Sequence, residues 1–406
     1  MINRFSISNF RSILHLDLDL TYGESKAPNG HREWSILPFL ENRDMRVVPV
    51  LGLFGANASG KSTVLQALNV FQEVLQGHSA NLYMPNKLHD GQSSTSFEIS
   101  GIIDSGKPFT YSICYDDKEF LAESLSCNGA MLYSRKDAQI TLGGIVRGQY
   151  KESKLDEIYR VECLDQNGKH TGSILYKFAT HYPGLNQTLS QVYEILSTQI
   201  HVFPGNAFSS ADGIHQLQAA MGGREGIAGA FREIDELLRK MDLGIRRMEY
   251  LPALNDAGGN LLDAIMTYHD NTQGREVQFR FEEESMGTRA AFGLLGVCLA
   301  ALHTGSLLAI DEIDSSLHSL LITAILQLFK EKRYNTKNAQ LLFSAQNTDL
   351  LDHERLRVSE VGIVDKTLKN GTFVTRLCEF HGLRNMANFR KRYLEGRFSG
   401  IPFPYL

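Results

Sequence analysis

Hydrophobic and polar residues alternate over positions 5–10, where Phe5, Ile7 and Asn9 share a face, and again over 15–20, where Leu16, Leu18 and Leu20 do. A period of two predicts half-buried strands in both places. The pattern is lost over 22–46, which holds Gly23, Pro28, Gly30 and Pro38 and reads as a loop or small insertion. Positions 47–54 are almost continuously apolar, as in a strand covered on both faces. Val64, Leu65, Leu68, Phe71, Val74 and Leu75 then follow at helical spacing, predicting a helix over 62–76.

Three short alternating segments, 97–103, 109–115 and 120–125, predict an antiparallel meander beside the central sheet. Residues 150–247 read as mostly helical. Their clearest piece is the stripe Phe231, Ile234, Leu237, Leu238 and Met241, with charged residues on the opposite face. Strand character returns at 244–251 and 277–281. A helix (290–302), a buried strand (307–310), a helix (318–332) and strands at 339–344, 361–365 and 371–378 complete the chain. This recurrence predicts an α/β fold with a mostly parallel central sheet, an antiparallel β meander and a largely helical insertion. The expected divisions are 1–149, 150–247, 248–380 and a basic tail, 381–406.

Composition narrows the picture only slightly. With 406 residues, 43% of them apolar and 21% charged, the chain can bury an ordinary core. A formal net charge of −5 argues against coating nucleic acid with the whole surface. The tail gathers Arg384, Arg390, Lys391, Arg392 and Arg397 against Glu395, either a solvated basic helix or a docking surface. Cys114, Cys127, Cys163, Cys298 and Cys378 form no C-x-x-C pair, so a reducing, cytoplasmic setting is expected. The start has no apolar signal segment. The longest apolar run, 290–302, is too short to cross a bilayer, so no membrane partner is expected.

The chemistry concentrates in three motifs. Gly55-Ala56-Asn57-Ala58-Ser59-Gly60-Lys61-Ser62 satisfies G-x-x-x-x-G-K-S/T between a buried strand and an amphipathic helix. Backbone N–H groups freed by Gly55 and Gly60 can curl around phosphate oxygens, with Asn57 and Ser59 between them. The helix start adds its positive dipole end, where Thr63 follows Ser62. Lys61 is suited to the β- and γ-phosphates and Ser62 to Mg²⁺. The second motif is the apolar strand 307–310 ending in Asp311-Glu312. Asp311 suits Mg²⁺, directly or through water, and Glu312 suits the attacking water. Alone this pair would read equally as a solvated acidic turn. The third is Glu284-Ser285-Met286-Gly287 before an apolar helix. Ser285 and Gly287 make another anion-binding helix end, although an ordinary N-cap is the plainer reading of Ser285 taken alone.

With those residues in place, the chain resembles the RloA/AbiL-type ATPases, close to the ATPase heads of the SMC, RecF and OLD proteins. Besides the P-loop, the resemblance rests on Ile7-Ser8-Asn9-Phe10-Arg11-Ser12, on Leu237–Ile245, on Asp311–His318 and on Tyr393-Leu394-Glu395-Gly396-Arg397-Phe398. It implies a P-loop NTPase head of ABC/SMC type that binds ATP and Mg²⁺. It also implies a contact from Arg11, a D-loop at Asp314-Ser315-Ser316-Leu317-His318, and a γ-phosphate switch at Gln346, where the class usually has histidine. Glutamine can hydrogen-bond a phosphate oxygen or the lytic water but cannot carry positive charge. In this architecture Ser285 and Gly287 close over the nucleotide of an opposite subunit, so a homodimer or higher homo-oligomer is expected.

Only about sixty residues follow Gln346, without a D-x-D acidic cluster, so no nuclease domain of the OLD kind is expected. The resemblance therefore implies a separately encoded effector, RloB-like or a nuclease, controlled in anti-phage (abortive-infection) defence. Two alternatives stand beside it. One is a RecF/SMC-like DNA repair or recombination ATPase, which leaves nucleic acid open as a partner. The other is a nucleotide-gated scaffold with little hydrolysis. A transporter subunit fits less well, given the opening strand, the departures from an LSGGQ signature and the large middle insertion.

Overall fold

A computed structural model describes residues 1–22, 36–39, 43–77, 82–89, 93–136, 139–143, 159–161, 163–164, 169, 172–182, 184–204, 209–241, 244–251, 261–315, 317–380 and 389–401. The chain forms two compact units. One comprises Met1–Val202 with Leu351–Leu406, the other Phe203–Leu350. The boundary at 202/203 falls inside the stretch expected to be a helical insertion. Most of the loop expected over 22–46 lies outside the described residues, as do Asp242, Leu243 and Ser316.

The first unit is dominated by a twisted sheet. Its strands are β1 (Ile2–Phe10), β2 (Ile13–Asp19), β5 (Val50–Phe54), β6 (Thr95–Ile102), β7 (Pro108–Tyr115), β8 (Phe120–Cys127), β9 (Ala130–Lys136), β10 (Gln139–Leu142), β17 (Val361–Thr367) and β18 (Gly371–Arg376). A separate hairpin joins β3 (Ile36–Phe39) to β4 (Arg43–Arg46). The sheet order is β10-β9-β8-β7-β6-β1-β2-β18-β17-β5. The α/β class holds, and the sheet is mixed, with the expected antiparallel meander and a parallel pairing of β5 with β17. Consecutive strands joined by short turns run antiparallel, whereas β5 and β17, far apart in sequence, pair in parallel. The meander is longer than the alternation suggested, because β9 and β10 extend it.

Helix α1 (Lys61–Leu75) buries Val64, Leu65, Leu68 and Phe71. The Phe71 ring packs edge-on against Phe5, Phe97 and Tyr111 on the sheet. Two further helices, α2 (Ile174–His181) and α3 (Gln187–Thr198), follow the meander. Glu123, fully buried on β8, accepts from the Tyr111 and Tyr133 hydroxyls and from the backbone N–H groups of Ile174 and Leu175. Several donors on one carboxylate explain how it tolerates burial, and they fasten the start of α2 to the meander.

β11 (Ile200–Phe203) ends at the boundary between the units. The second unit contains α4 (Ser210–Met221), α5 (Gly223–Lys240), and an antiparallel sheet of β12 (Arg247–Tyr250), β13 (Ile265–Asp270) and β14 (Glu276–Arg280). Then come α6 (Met286–Thr304), β15 (Leu307–Ile310), α7 (Ser319–Lys330) and β16 (Gln340–Ser344), with β15 and β16 parallel. Backbones of α4 and α6 nearly touch. A Cβ at Gly296 would lie 2.7 Å from the Gly213 Cα, so glycine is required there. At 19 residues α6 outruns the apolar run and, by length and composition, could cross a membrane, contrary to expectation. However, 72% of its most apolar stretch is buried inside the protein, which makes it a core helix.

Candidate functional site

The candidate residues form two constructions, one in each unit. In the first, β5 delivers the chain into the glycine-rich loop and α1 leaves it. Ala58 (φ 64°) and Gly60 (φ 108°) are left-handed at alternate positions. Such a backbone can turn successive N–H groups toward one anion. No side chain caps α1 and its first turn has no acid, so its N-terminal N–H groups and dipole are left to the loop. The glycines are sterically enforced. A Cβ on Gly55 would sit 2.2 Å from the Val364 carbonyl oxygen, and one on Gly60 would sit 2.3 Å from Thr372 Oγ1.

Lys61 is buried, and its ammonium donates to the carbonyls of Gly55 (2.8 Å) and Ala56 (3.1 Å). Among the described residues the buried Ser59 hydroxyl has no hydrogen-bond partner. Asn57 is exposed, and Ser62 and Thr63 are half-buried in the first turn of α1. Thr372 Oγ1 hydrogen-bonds the Ser59 carbonyl (2.9 Å) and the Ser12 hydroxyl (2.8 Å), which ties the β1–β2 turn to the loop. In that turn Arg11 is left-handed (φ 49°) and donates to Gln66 Oε1 on α1 (2.7 Å). It also lines an open cleft of about 460 Å³ with Tyr83, Met84 and Lys87.

In the second unit, β15 ends at Ile310, Asp311 follows it directly, and the chain turns sharply at Glu312, which is left-handed (φ 50°). Ser344, at the end of β16, joins the two acids. Its hydroxyl donates to Asp311 Oδ1 and accepts from the Glu312 backbone N–H (2.8 Å). Gln346 donates its amide to Glu312 Oε1 (2.9 Å). Asp314 accepts from the backbone N–H groups of Gln346 (2.9 Å) and Asn347, so this carboxylate holds the switch turn in place. Asp311, Glu312, Asp314, Ser344 and Gln346 thus form one hydrogen-bonded group.

A model of the family described as "AAA domain, putative AbiEii toxin, Type IV TA system" matches residues 50–140 and 179–352. Those residues take in the glycine-rich loop, both acids and Gln346. The chain belongs to this family. No curated protein matches its sequence. Among solved structures, the SMC head domain from Thermotoga maritima is 12% identical with a TM-score of 0.45, over 92% of this chain and 98% of that one. The recombination mediator protein RecF-ATPrS of the RecFOR pathway is 12% identical with a TM-score of 0.38, over 93% and 98%. The family is that of an AAA domain, and its P-loop corresponds to residues 55–62 of this chain.

Ser285, expected to be an anion contact, caps α6. Its hydroxyl accepts from the Thr288 N–H (3.1 Å) and lies 2.9 Å from Thr288 Oγ1, while Gly287 follows half-buried. The preceding Glu284 is held by Thr267 and by His269 Nε2 (2.6 Å), anchoring this segment to β13. Neither anchor was legible in the sequence, because the partners lie 15 and 17 residues away on a strand that carried no alternating signal. Ser344 and Thr372 also escaped notice. Each is a single polar residue at a strand end, with nothing local to mark its partner. Among the described residues no three acidic, histidine or cysteine side chains group as a metal cage.

Proposed function

We propose that the chain binds ATP at its glycine-rich loop, hydrolyses it with Glu312, dimerises around ATP and Mg²⁺, and controls a separately encoded effector in bacterial anti-phage defence. This follows the RloA/AbiL-type resemblance, and the family's description as a toxin of a toxin–antitoxin system is in keeping with it. The observation that carries the hydrolytic part is the Glu312 carboxylate held by Gln346 beside an Asp311 oriented through Ser344.

In this reading the loop N–H groups, Lys61 and the start of α1 hold the phosphates, with Asn57, Ser59, Gly60 and Thr63 shaping the cradle. Ser62 and Asp311 hold Mg²⁺, which supplies charge neutralisation at the phosphoryl oxygens. Glu312 accepts the proton of the attacking water. Gln346, by donating to Glu312 Oε1, fixes the orientation of that carboxylate. Arg11 frames the cleft beside α1, where the nucleoside end would lie. Ser285 and Gly287 reach a second subunit's nucleotide.

The test is ATP turnover and sizing of wild type, Lys61→Ala and Glu312→Gln. Glu312→Gln should elute with ATP as a dimer, and its turnover should drop about 100-fold or more. Undiminished turnover in Lys61→Ala would mean the phosphate site is misassigned. Strong stimulation by DNA would favour a repair ATPase instead. One observation favours a second reading, a nucleotide-gated scaffold: Gln346 spends its amide on Glu312 and cannot shuttle a proton. Wild-type turnover no faster than Glu312→Gln, with ATP-dependent dimers intact, would select it. The defence role is tested by phage challenge of cells carrying the gene with its neighbours. Equal plaque counts for wild type and Lys61→Ala would sink it.

A further inference from the structure

The C-terminal segment reaches the root of the glycine-rich loop. Helix α8 (Phe389–Leu394) buries Phe389 and Tyr393. It ends on Gly396 (φ 75°), where Gly396 N–H bonds the Tyr393 carbonyl and Arg397 N–H bonds the Arg392 carbonyl. These paired bonds around a left-handed glycine stop the helix and reverse the chain. Phe398 is buried, 5.2 Å from the Phe380 ring. Ser399 (φ 62°) and Gly400 (φ 69°) are both left-handed.

This turn presents Gly400 to β17 and the P-loop. Its N–H donates to Asp365 Oδ2 (3.3 Å), and its carbonyl accepts from the Tyr393 hydroxyl (2.9 Å). A Cβ at Gly400 would lie 2.7 Å from Ile363 Cγ2, 3.2 Å from the Val364 carbonyl oxygen and 3.7 Å from the Gly55 Cα. The same Val364 oxygen blocks any side chain at Gly55, and the Gly55 carbonyl anchors Lys61. Gly400, Val364 and Gly55 therefore lie in one backbone stack that ends at the phosphate-binding lysine. Residues 353–406 lie outside the family match, so this contact is made by a part of the chain that the family model does not cover.

We infer that the C-terminal turn at Gly400 is a positioning element for the P-loop, setting the loop's affinity for a triphosphate through the Val364–Gly55 contact. The inference rests on the glycine-rich loop being the nucleotide site. Gly400 touches no reacting atom in this scheme and acts only through the loop. Because binding linkage is reciprocal, nucleotide in the loop must also steady the tail.

The experiment uses the full chain with a fluorescent ATP analogue and hydrogen exchange. Gly400→Ala forces a side chain into a left-handed, crowded position. Strain of that kind is about 1–2 kcal/mol, so the dissociation constant should rise roughly 10-fold if it is passed to the loop. Tyr393→Phe, which removes only the hydroxyl that holds Gly400, should raise it about 2- to 5-fold with the fold intact. ATP should slow amide exchange over 389–401 in wild type, and less in either variant. Loss of binding in Lys61→Ala secures the nucleotide site itself. If Lys61→Ala binds normally, the P-loop reading fails and this inference falls with it. If Lys61→Ala fails to bind, Tyr393→Phe binds like wild type and exchange over 389–401 ignores ATP, the positioning role is overturned while the nucleotide site stands.

Discussion

The two constructions that carry the proposed chemistry are made of different materials. The glycine-rich loop is built from backbone: left-handed residues at 58 and 60, and glycines enforced by a carbonyl and a threonine only 2.2–2.3 Å from where a Cβ would stand. The acidic strand end is built from side chains, since Ser344, Gln346 and Asp314 join Asp311, Glu312 and the switch backbone by hydrogen bonds. A backbone site fails by steric exclusion, which leaves little room for partial function. A side-chain site loses one contact at a time. Substitutions should therefore act all-or-none in the first and by degrees in the second.

The harshest way to break the contrast is Gly55→Ala. Its Cβ would meet a backbone oxygen that no rotamer change can move, so the loop itself must shift. Nucleotide affinity should fall about 100-fold or more, as expected when several charge-assisted phosphate contacts are lost together. Equilibrium dialysis with labelled ATP reads this directly, and binding within 3-fold of wild type would show the loop to be softer than the contacts imply.

Ser344→Ala probes the other side. It removes a hydroxyl that orients Asp311 and caps the Glu312 N–H, without touching the loop. Losing an outer contact to a metal-binding carboxylate typically costs about 10- to 100-fold in activity or metal affinity. Turnover and the Mg²⁺ requirement should change by that order, while ATP affinity measured without Mg²⁺ stays within about 2-fold. Ser344→Thr, which keeps the hydroxyl, should restore most of the loss. Equal damage to Mg²⁺-free ATP binding would mean that the serine supports the whole fold.

The contrast also explains what could be read from the chain. The loop was legible because its constraint is local: eight contiguous residues between a buried strand and an amphipathic helix. Asp311 and Glu312 were legible for the same reason, at the end of an apolar strand. Their partners were not, since Ser344 lies 33 residues from Asp311 and the only marker is a polar residue at a strand end. Thr372, 313 residues from Ser59, was out of reach of any local pattern. The partner of each strand was out of reach for a related reason. Alternation announces a strand, whereas its direction depends on which distant strand it joins, as β17 joins β5.

Thr372→Val is a milder probe of the backbone site. It keeps the shape beside Gly60 and removes the hydrogen bonds to Ser59 and Ser12. The Ser59 carbonyl would lose a buried partner, at a cost of about 1–3 kcal/mol. Urea titration should show that loss as a lower midpoint with an unchanged slope, together with weaker ATP binding. A changed slope would point instead to a different unfolded or native compactness.

The smallest expected effect is the sharpest comparison, because both constructions place a non-glycine residue in the left-handed region: Ala58 (φ 64°) and Glu312 (φ 50°). Holding an L-residue there costs about 1–2 kcal/mol. Glycine removes that cost, yet it also frees the unfolded chain and gives back about 0.4–1 kcal/mol. Ala58→Gly should therefore gain from nothing to about 1.6 kcal/mol in stability and keep its turnover, since no Ala58 side-chain contact enters the chemistry. Glu312→Gly should gain less, because the bond from Gln346 is also lost, and its turnover should collapse. Denaturant midpoints and ATP turnover measured on the same two proteins decide the matter. If Ala58→Gly loses activity as Glu312→Gly does, the alanine methyl has a role in shaping the loop, and the division between a backbone site and a side-chain site is drawn in the wrong place.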